Sequence, residues 1–325
     1  MERDMPFVEH AQIAAFAEKA VNLRREDVEQ FRQQVNRLRD RLAVYIAGHP
    51  DYSLIKMLHS GSVAKGTALR TINDMDVAVY VRAAEAPADE TRLLYWLRDR
   101  LQEAYGGVMS PEQFQVGTHC VRISFRGTGL DVDVVPVLYE GDADDKGYLV
   151  TRDTGQRVLT SIPLHLEFIR ERKRRRERHF AQVVRLLKWW VREEKQRNGG
   201  FRFKSFLVEL LCAYQVDKGL ELSDYTRALE AILFYIVKSR LQSRISFTDH
   251  YQPGALPPPT GAPIEVFDPV NPENNVASDY SGFDRDVIVT AADRGLSAIA
   301  EARFATTKQR AVHCWRVVLG PAFQG

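Results

Sequence analysis

Four aspartates occupy alternate positions in two apolar runs. Asp74 and Asp76 lead into residues 77–81, and Asp131 and Asp133 are interleaved with Leu130, Val132 and Val134. Successive side chains on a strand point to opposite faces, so Asp74 and Asp76 share one face while Val77, Val79 and Val81 take the other. The second run repeats the arrangement. Carboxylates crowded into one small volume repel each other unless cations neutralise them. Oxygen-only ligands favour Mg²⁺, with Mn²⁺ as the alternative. Two such ions, about 4 Å apart, are the machinery of nucleotidyl transfer. Gly61-Ser62 precedes this group, with eleven residues intervening before Asp74. Glycine lets backbone approach a phosphate closely, and Ser62 offers a hydroxyl at the start of a short helix, where free N–H groups favour anions. A lone Gly-Ser is an ordinary turn and a lone Asp-x-Asp a solvated strand end. The set describes a site for a nucleoside triphosphate and two metals, with Asp131 or Asp133 as the third carboxylate.

These residues need a sheet to hold them. Runs 77–81, 119–125 and 130–138 alternate as strands, and residues 91–104 read as a helix between the first two. Before them, residues 8–48 read as helix interrupted near Val21-Asn22-Leu23. Phe31, Val35, Leu38, Leu42 and Tyr45 form its apolar stripe. Gly48-His49-Pro50 ends it. From about residue 162 the pattern is helical, over 179–196, 205–216, 225–244, 284–301 and 306–319. A loop at 252–263 carries five of the fourteen prolines. The expected fold class is α+β, with residues 1–160 as an N-terminal helix plus catalytic core and 161–325 as a helical domain.

With 325 residues, 45% apolar and 27% charged, the chain is sized for one large domain or two ordinary ones. A net charge of +2 gives no general affinity for nucleic acid. Cys120, Cys212 and Cys314 lie far apart with no zinc spacing, which suits a reducing compartment. Residues Met1-Glu2-Arg3-Asp4 lack the apolar stretch of a secretory signal, and no apolar run has membrane-spanning length. The expected location is cytoplasmic, away from membranes.

The motifs resemble a known signature. His59-Ser60-Gly61-Ser62-Val63-Ala64-Lys65-Gly66-Thr67-Ala68-Leu69-Arg70, followed by Asp74-Met75-Asp76 and Asp131-Val132-Asp133-Val134-Val135-Pro136, is similar to the polymerase-β-like nucleotidyltransferase superfamily. Within it, the chain resembles oligoadenylate synthases and the bacterial cGAS/DncV-like enzymes. Val184-Arg185-Leu186-Leu187-Lys188-Trp189-Trp190, the segment 203–211, and Asp268-Pro269 with Asn274-Asn275-Val276 resemble the later motifs of that branch. The likeness covers nearly the whole chain and is greatest to clade C of the bacterial cyclic-oligonucleotide synthases.

That resemblance implies a nucleotidyltransferase palm with an N-terminal spine helix, a helical C-terminal domain, and an active site in the cleft between. It implies Asp74, Asp76 and Asp133 as metal ligands, because the third carboxylate of the family precedes two apolar residues and a proline. Asp131 is then a supporting or exposed strand residue. It implies Gly61 and Ser62 as phosphate contacts, and Lys188, Arg185 and Ser205 as triphosphate contacts. Without it, Lys188 reads as a boundary residue snorkelling to water and Ser205 as an N-cap. The Asp268–Val276 element reads equally as a structural turn. The implied activity is synthesis of a cyclic oligonucleotide from NTPs, best matched by cyclic tri-AMP from ATP, in anti-phage signalling. The implied partners are a HORMA-domain activator and an AAA+ ATPase regulator. The rivals are a transferase acting on RNA ends, a protein or a small molecule, and a non-catalytic module keeping the fold.

Three features stand outside this scheme. Residues 170–178 hold seven basic residues and two glutamates, read as a solvated helix face or as a docking surface for DNA or an acidic partner. Trp189 and Trp190 read as packing rather than as a stacking platform. Residues 321–325 read as a frayed end, with a mobile tail used for attachment as the alternative.

Overall fold

The structure, a computed structural model, describes residues 6–49, 54–71 and 74–325, without the side chains of Glu177, Arg178 and Pro253. Residues 1–5 and Pro50 therefore lie outside the described residues. Helix α1 (His10–Phe16) continues as a π-helical turn (Ala17–Val21) that breaks at Asn22, where the backbone turns extended; α2 (Arg25–Ala47) follows. Next come β1 (Leu54–Ser60), α3 (Gly61–Lys65), β2 (Asp74–Arg82), α4 (Leu93–Ala104), β3 (Phe114–Val116), β4 (Val121–Phe125), β5 (Leu130–Tyr139), β6 (Gly147–Val150) and β7 (Arg157–Thr160). The rest is helical: α5 (Ile162–Arg197), α6 (Ser205–Asp217), α7 (Tyr225–Ser239), α8 (Gly282–Arg303) and α9 (Lys308–Leu319). None of these helices is long and apolar enough to cross a membrane.

Two compact units emerge, Leu23–Phe168 and a second formed by Met1–Asn22 with Ile169–Gly325. The division differs from one at 160/161 by taking the first helix into the helical unit. Packing explains it. Phe16 meets Trp189 and Phe323 edge-on at 5.8 and 5.4 Å, and the Asn22 and Gln182 side-chain amides exchange hydrogen bonds of 2.9 and 3.0 Å.

The sheet unit is one seven-stranded sheet in the order β1-β2-β5-β4-β3, with β6 on β5 and β7 on β6. Among the described residues of this sheet, β2 and β5 pair in parallel and the other pairs are antiparallel. Its main core joins the expected stripe of α2 to Leu94, Leu97 and Leu101 of α4 and to Met75, Val77, Val79, Val132 and Val134 of the central strands, all buried. The period-2 pattern thus turns one sheet face into the core and leaves the aspartates on the other. In the helical unit, Phe180, Val183, Val184, Leu187 and Trp190 of α5 are buried, and Trp189 Nε1 donates to the Leu319 carbonyl at 2.8 Å. Both tryptophans are packing residues.

Candidate active site

β1 delivers the chain to the Gly-Ser turn. Ser60 is buried, extended, and opposite Asp76 in the β1/β2 register. Gly61 then takes φ = +65°, a region that strains any residue with a Cβ. The space its side chain would enter belongs to Asp76, since a Cβ there would lie 1.7 Å from Asp76 Oδ2. Gly61 is therefore needed to seat a carboxylate as well as to expose backbone. Gly66, at φ = +70°, closes α3, and the Thr67 amide donates to the Ser62 carbonyl at 2.9 Å.

The parallel pairing of β2 and β5 sets Asp74 beside Asp131 and Asp76 beside Asp133. All four are partly buried on one face. Farther along that face Ala78, Tyr80 and Val137 form a small buried cluster, so the acidic stretch abuts an apolar patch. Burial raises the Asp74 pKa above its ordinary value; Asp133 and Asp131 add to the rise, and Arg122 opposes it. The neighbouring Cys120 thiol is pushed up to about 11, first by burial and then by Asp133, with Asp76 contributing. An oxygen-only donor set under mutual repulsion fits a divalent cation.

Arg122 is a site residue that the sequence motifs did not single out. It faces Asp133 across the β4/β5 register. Its Nε donates to Asp133 Oδ1 and its Nη2 to Oδ2, both at 2.7 Å, and Nη2 lies 3.8 Å from Asp74 Oδ2. A signal existed: buried Val121 and Ile123 turn Arg122 to the acidic face, and Gly127-Thr128-Gly129 marks the hairpin that sets the register.

The remaining candidates lie in the helical unit. Lys188 is only 5% exposed, and its ammonium pairs with Glu209 at 2.6 Å, itself 3% exposed. The snorkelling alternative fails because both charges are buried. Arg185 donates to Gln182 Oε1 at 2.9 Å, and burial lowers its pKa. Ser205 is exposed as the first residue of α6; the N-cap position expected for it belongs to Lys204, whose ammonium sits 2.8 Å from both Asp279 oxygens.

Comparison with known proteins extends this picture. No protein-family model matches the chain. It is 48% identical over 318 residues, 98% of each chain, to a cyclic AMP-AMP-AMP synthase of Escherichia coli strain MS 115-1. It is 29% identical over 322 residues, 97% of each, to the CBASS oligonucleotide cyclase CdnC of E. coli strain KTE188. The solved structure of E. coli MS115-1 CdnC with ATP superposes with a TM-score of 0.91 at 47% identity, covering 98% of this chain and 100% of that one. The complex of that CdnC with HORMA-deltaN gives 0.90 at 47% identity, covering 98% and 99%. The chain belongs to the CdnC family of CBASS oligonucleotide cyclases. It is a nucleotidyltransferase with the polymerase-β-like fold.

Three other features take clear roles in this CdnC-family chain. The run 170–178 is not uniformly solvated. Arg172 is fully buried, with Nη2 2.6 Å from Asp217 and 2.8 Å from Asp249; Arg175 reaches Asp217 at 3.4 Å and Arg176 reaches Glu221 at 3.0 Å. Arg170 and Arg174 remain exposed. Glu171, Asp249 and His250 bring ligand atoms within 4.8 Å of one another, but the Arg172 guanidinium lies among them, which makes the group an ion-pair hub. The Asp268–Val276 element is a turn whose side chains hold its own and the flanking backbone. Asp268 Oδ1 accepts from the Val270 amide at 2.8 Å, and Asn275 Oδ1 accepts from Val266 and Ala277 at 3.0 Å. Phe323 is fully buried and Arg316 donates to its carbonyl at 2.8 Å, so residues 321–325 are docked rather than frayed.

Proposed function

We propose that this chain condenses ATP into cyclic tri-AMP, releasing pyrophosphate at each linkage, as a signal in anti-phage defence. Cyclic oligonucleotide synthesis follows from family membership. Adenine and ring size rest on the name of the relative that is 48% identical. The observation that carries the chemistry is the β2/β5 register, which aligns Asp74 with Asp131 and Asp76 with Asp133, together with Gly61 against Asp76.

Asp74, Asp76 and Asp133 would hold two Mg²⁺ ions, or Mn²⁺, which supply charge neutralisation at the pyrophosphate and acidify the attacking ribose hydroxyl. Gly61 and Ser62 hold the phosphates from the turn, and the Asp133 carboxylate takes the hydroxyl proton. Lys188, Arg185 and Ser205 serve as triphosphate contacts. Ser205 is the exposed one of the three, whereas Lys188 must share its ammonium with Glu209. Orientation and electrostatic neutralisation then supply the rate.

The proposed partner is a HORMA-domain protein, as in the complex of E. coli MS115-1 CdnC with HORMA-deltaN; its action as an activator, and an AAA+ ATPase as its regulator, are what the family resemblance implies. The exposed Arg170 and Arg174 offer a contact for DNA or an acidic partner. The working location is the cytoplasm.

The test is incubation with each NTP, Mg²⁺ or Mn²⁺, and with or without the HORMA protein, followed by mass analysis. A product of three AMP units lacking terminal phosphates, lost in Asp76→Asn, is expected. A linear or acceptor-linked product would support the rival transferase. Absence of pyrophosphate under every condition would overturn the reading.

A further inference from the structure

The acidic face is already partly neutralised by a group of the chain itself. Arg122 places both arms of its fork on Asp133, engaging both carboxylate oxygens at 2.7 Å, and lies within 3.8 Å of Asp74 on the neighbouring strand. A bidentate guanidinium fixes the plane and rotamer of the carboxylate it grips. It also occupies the lone pairs a divalent cation would use. The Asp133 side chain is 14% exposed whereas that of Arg122 is 41% exposed. The carboxylate is held in place, and the arginine, on a long stem open to solvent, is the partner able to withdraw.

We propose that Arg122 is a positioning residue that stands in for the metal. It holds Asp133 and shields it from Asp74 in the metal-free protein, and it competes with divalent cations for Asp133, so that it sets metal affinity. This rests on the reading of Asp74, Asp76 and Asp133 as metal ligands. Two opposing effects follow from removing it. The metal-free site loses its counter-charge and becomes less stable, while a bound cation loses a repelling neighbour. An arginine with only a structural role would lower stability equally in both forms.

The experiment uses the full chain without nucleotide at one fixed pH and ionic strength. Mn²⁺ binding is measured from the free-ion paramagnetic resonance signal, and melting is recorded with and without Ca²⁺, for the wild type, Arg122→Gln, Arg122→Lys and Asp76→Asn. Removing one positive charge a few ångströms from the ion should tighten Mn²⁺ binding roughly three- to tenfold in Arg122→Gln at a screened surface-like dielectric. Arg122→Lys, which keeps the charge without the fork, should fall between it and the wild type. The melting point of Arg122→Gln should drop in the metal-free form and recover most of the loss with Ca²⁺. Unchanged or weaker Mn²⁺ binding in Arg122→Gln, or equal melting losses with and without Ca²⁺, overturns the proposal. If Arg122→Gln does not fold, Arg122→Lys decides, and binding no tighter than wild type refutes it. Wild-type binding no better than that of Asp76→Asn overturns the metal-site reading itself, an outcome separate from any effect at Arg122.

Discussion

Replacing Gly61 by alanine would put a methyl group 1.7 Å from Asp76 Oδ2, 2.4 Å from its Cγ and 2.7 Å from its Cβ. Contact carbons normally approach no closer than about 3.5 Å, so the carboxylate must move by more than about 1 Å or the turn must open. The φ of +65° adds left-handed strain of about 1–2 kcal/mol for any residue with a Cβ. Gly107 separates the two effects. It has φ = +74°, and a methyl group there would meet nothing within 4 Å, so Gly107→Ala carries the strain without the clash. Both variants should lose about 1–2 kcal/mol of stability from strain, seen as a drop of a few degrees in Tm. Only Gly61→Ala should lose turnover, by roughly 100-fold, the size expected when a reacting group is misplaced by about 1 Å. The assay is pyrophosphate release at saturating ATP and Mg²⁺, beside melting curves. A Gly61→Ala enzyme that melts like Gly107→Ala and keeps its kcat would refute the argument that Gly61 seats Asp76.

Other perturbations have expected directions. The folded-state pKa of Asp74 is raised, so its charged form opposes folding; that penalty is absent below the unfolded pKa and grows as pH rises through the folded one. Asp74→Asn should therefore raise the Tm of the metal-free protein at neutral pH, with a gain that shrinks on acidification, while abolishing activity. A Tm change independent of pH would contradict the sign. Glu209→Gln deprives a buried ammonium of its carboxylate and should cost about 3–5 kcal/mol in denaturant melts; a loss under about 1 kcal/mol would argue against a buried pair. On the proposal that DNA docks at the basic run, charge reversal at Arg174 and Arg175 should weaken that binding and flatten its salt dependence. Because Arg175 also pairs with Asp217 and Asp249, a fold control by circular dichroism is required, and unchanged binding in a folded variant would remove DNA from this surface.

Local periodicity made the central elements readable. The α2 stripe, the alternation on β2 and β5, and the apolar side of α5 each follow from residues close in sequence, and each proved buried as its period required. The short outer strands did not announce themselves. β1 contains Lys56 and His59, and β3 spans three residues, 114–116, too few to establish a period of two. The 225–244 helix stops at Ser239 because Arg240 and Leu241 adopt left-handed φ values of 50° and 54°, which no composition signal marked. Helix α5 is twice as long as its apolar pattern suggested. Its first half carries the basic run, whose charges mask the stripe until Arg172 is seen turning inward to Asp217 and Asp249.

The site divides along the same physical line. Two carboxylates on one strand are a local fact, so Asp74 and Asp76 could be read from spacing. Their alignment with Asp131 and Asp133 is a register, and register depends on partners more than fifty residues away. The Arg122–Asp133 and Lys188–Glu209 pairs depend on register or helix packing in the same way, and spacing alone shows neither pairing because the partners are not adjacent. A buried ion pair is stable only if both members arrive together, since either alone carries a desolvation penalty of several kcal/mol. Acidic and basic residues placed on faces that the apolar period turns toward other elements should therefore be read as halves of pairs. The desolvation part of that rule applies to Lys188 and Glu209, both buried, whereas Arg122 is 41% exposed and is legible by alternation alone: buried Val121 and Ile123 turn it to the sheet face that carries Asp131 and Asp133.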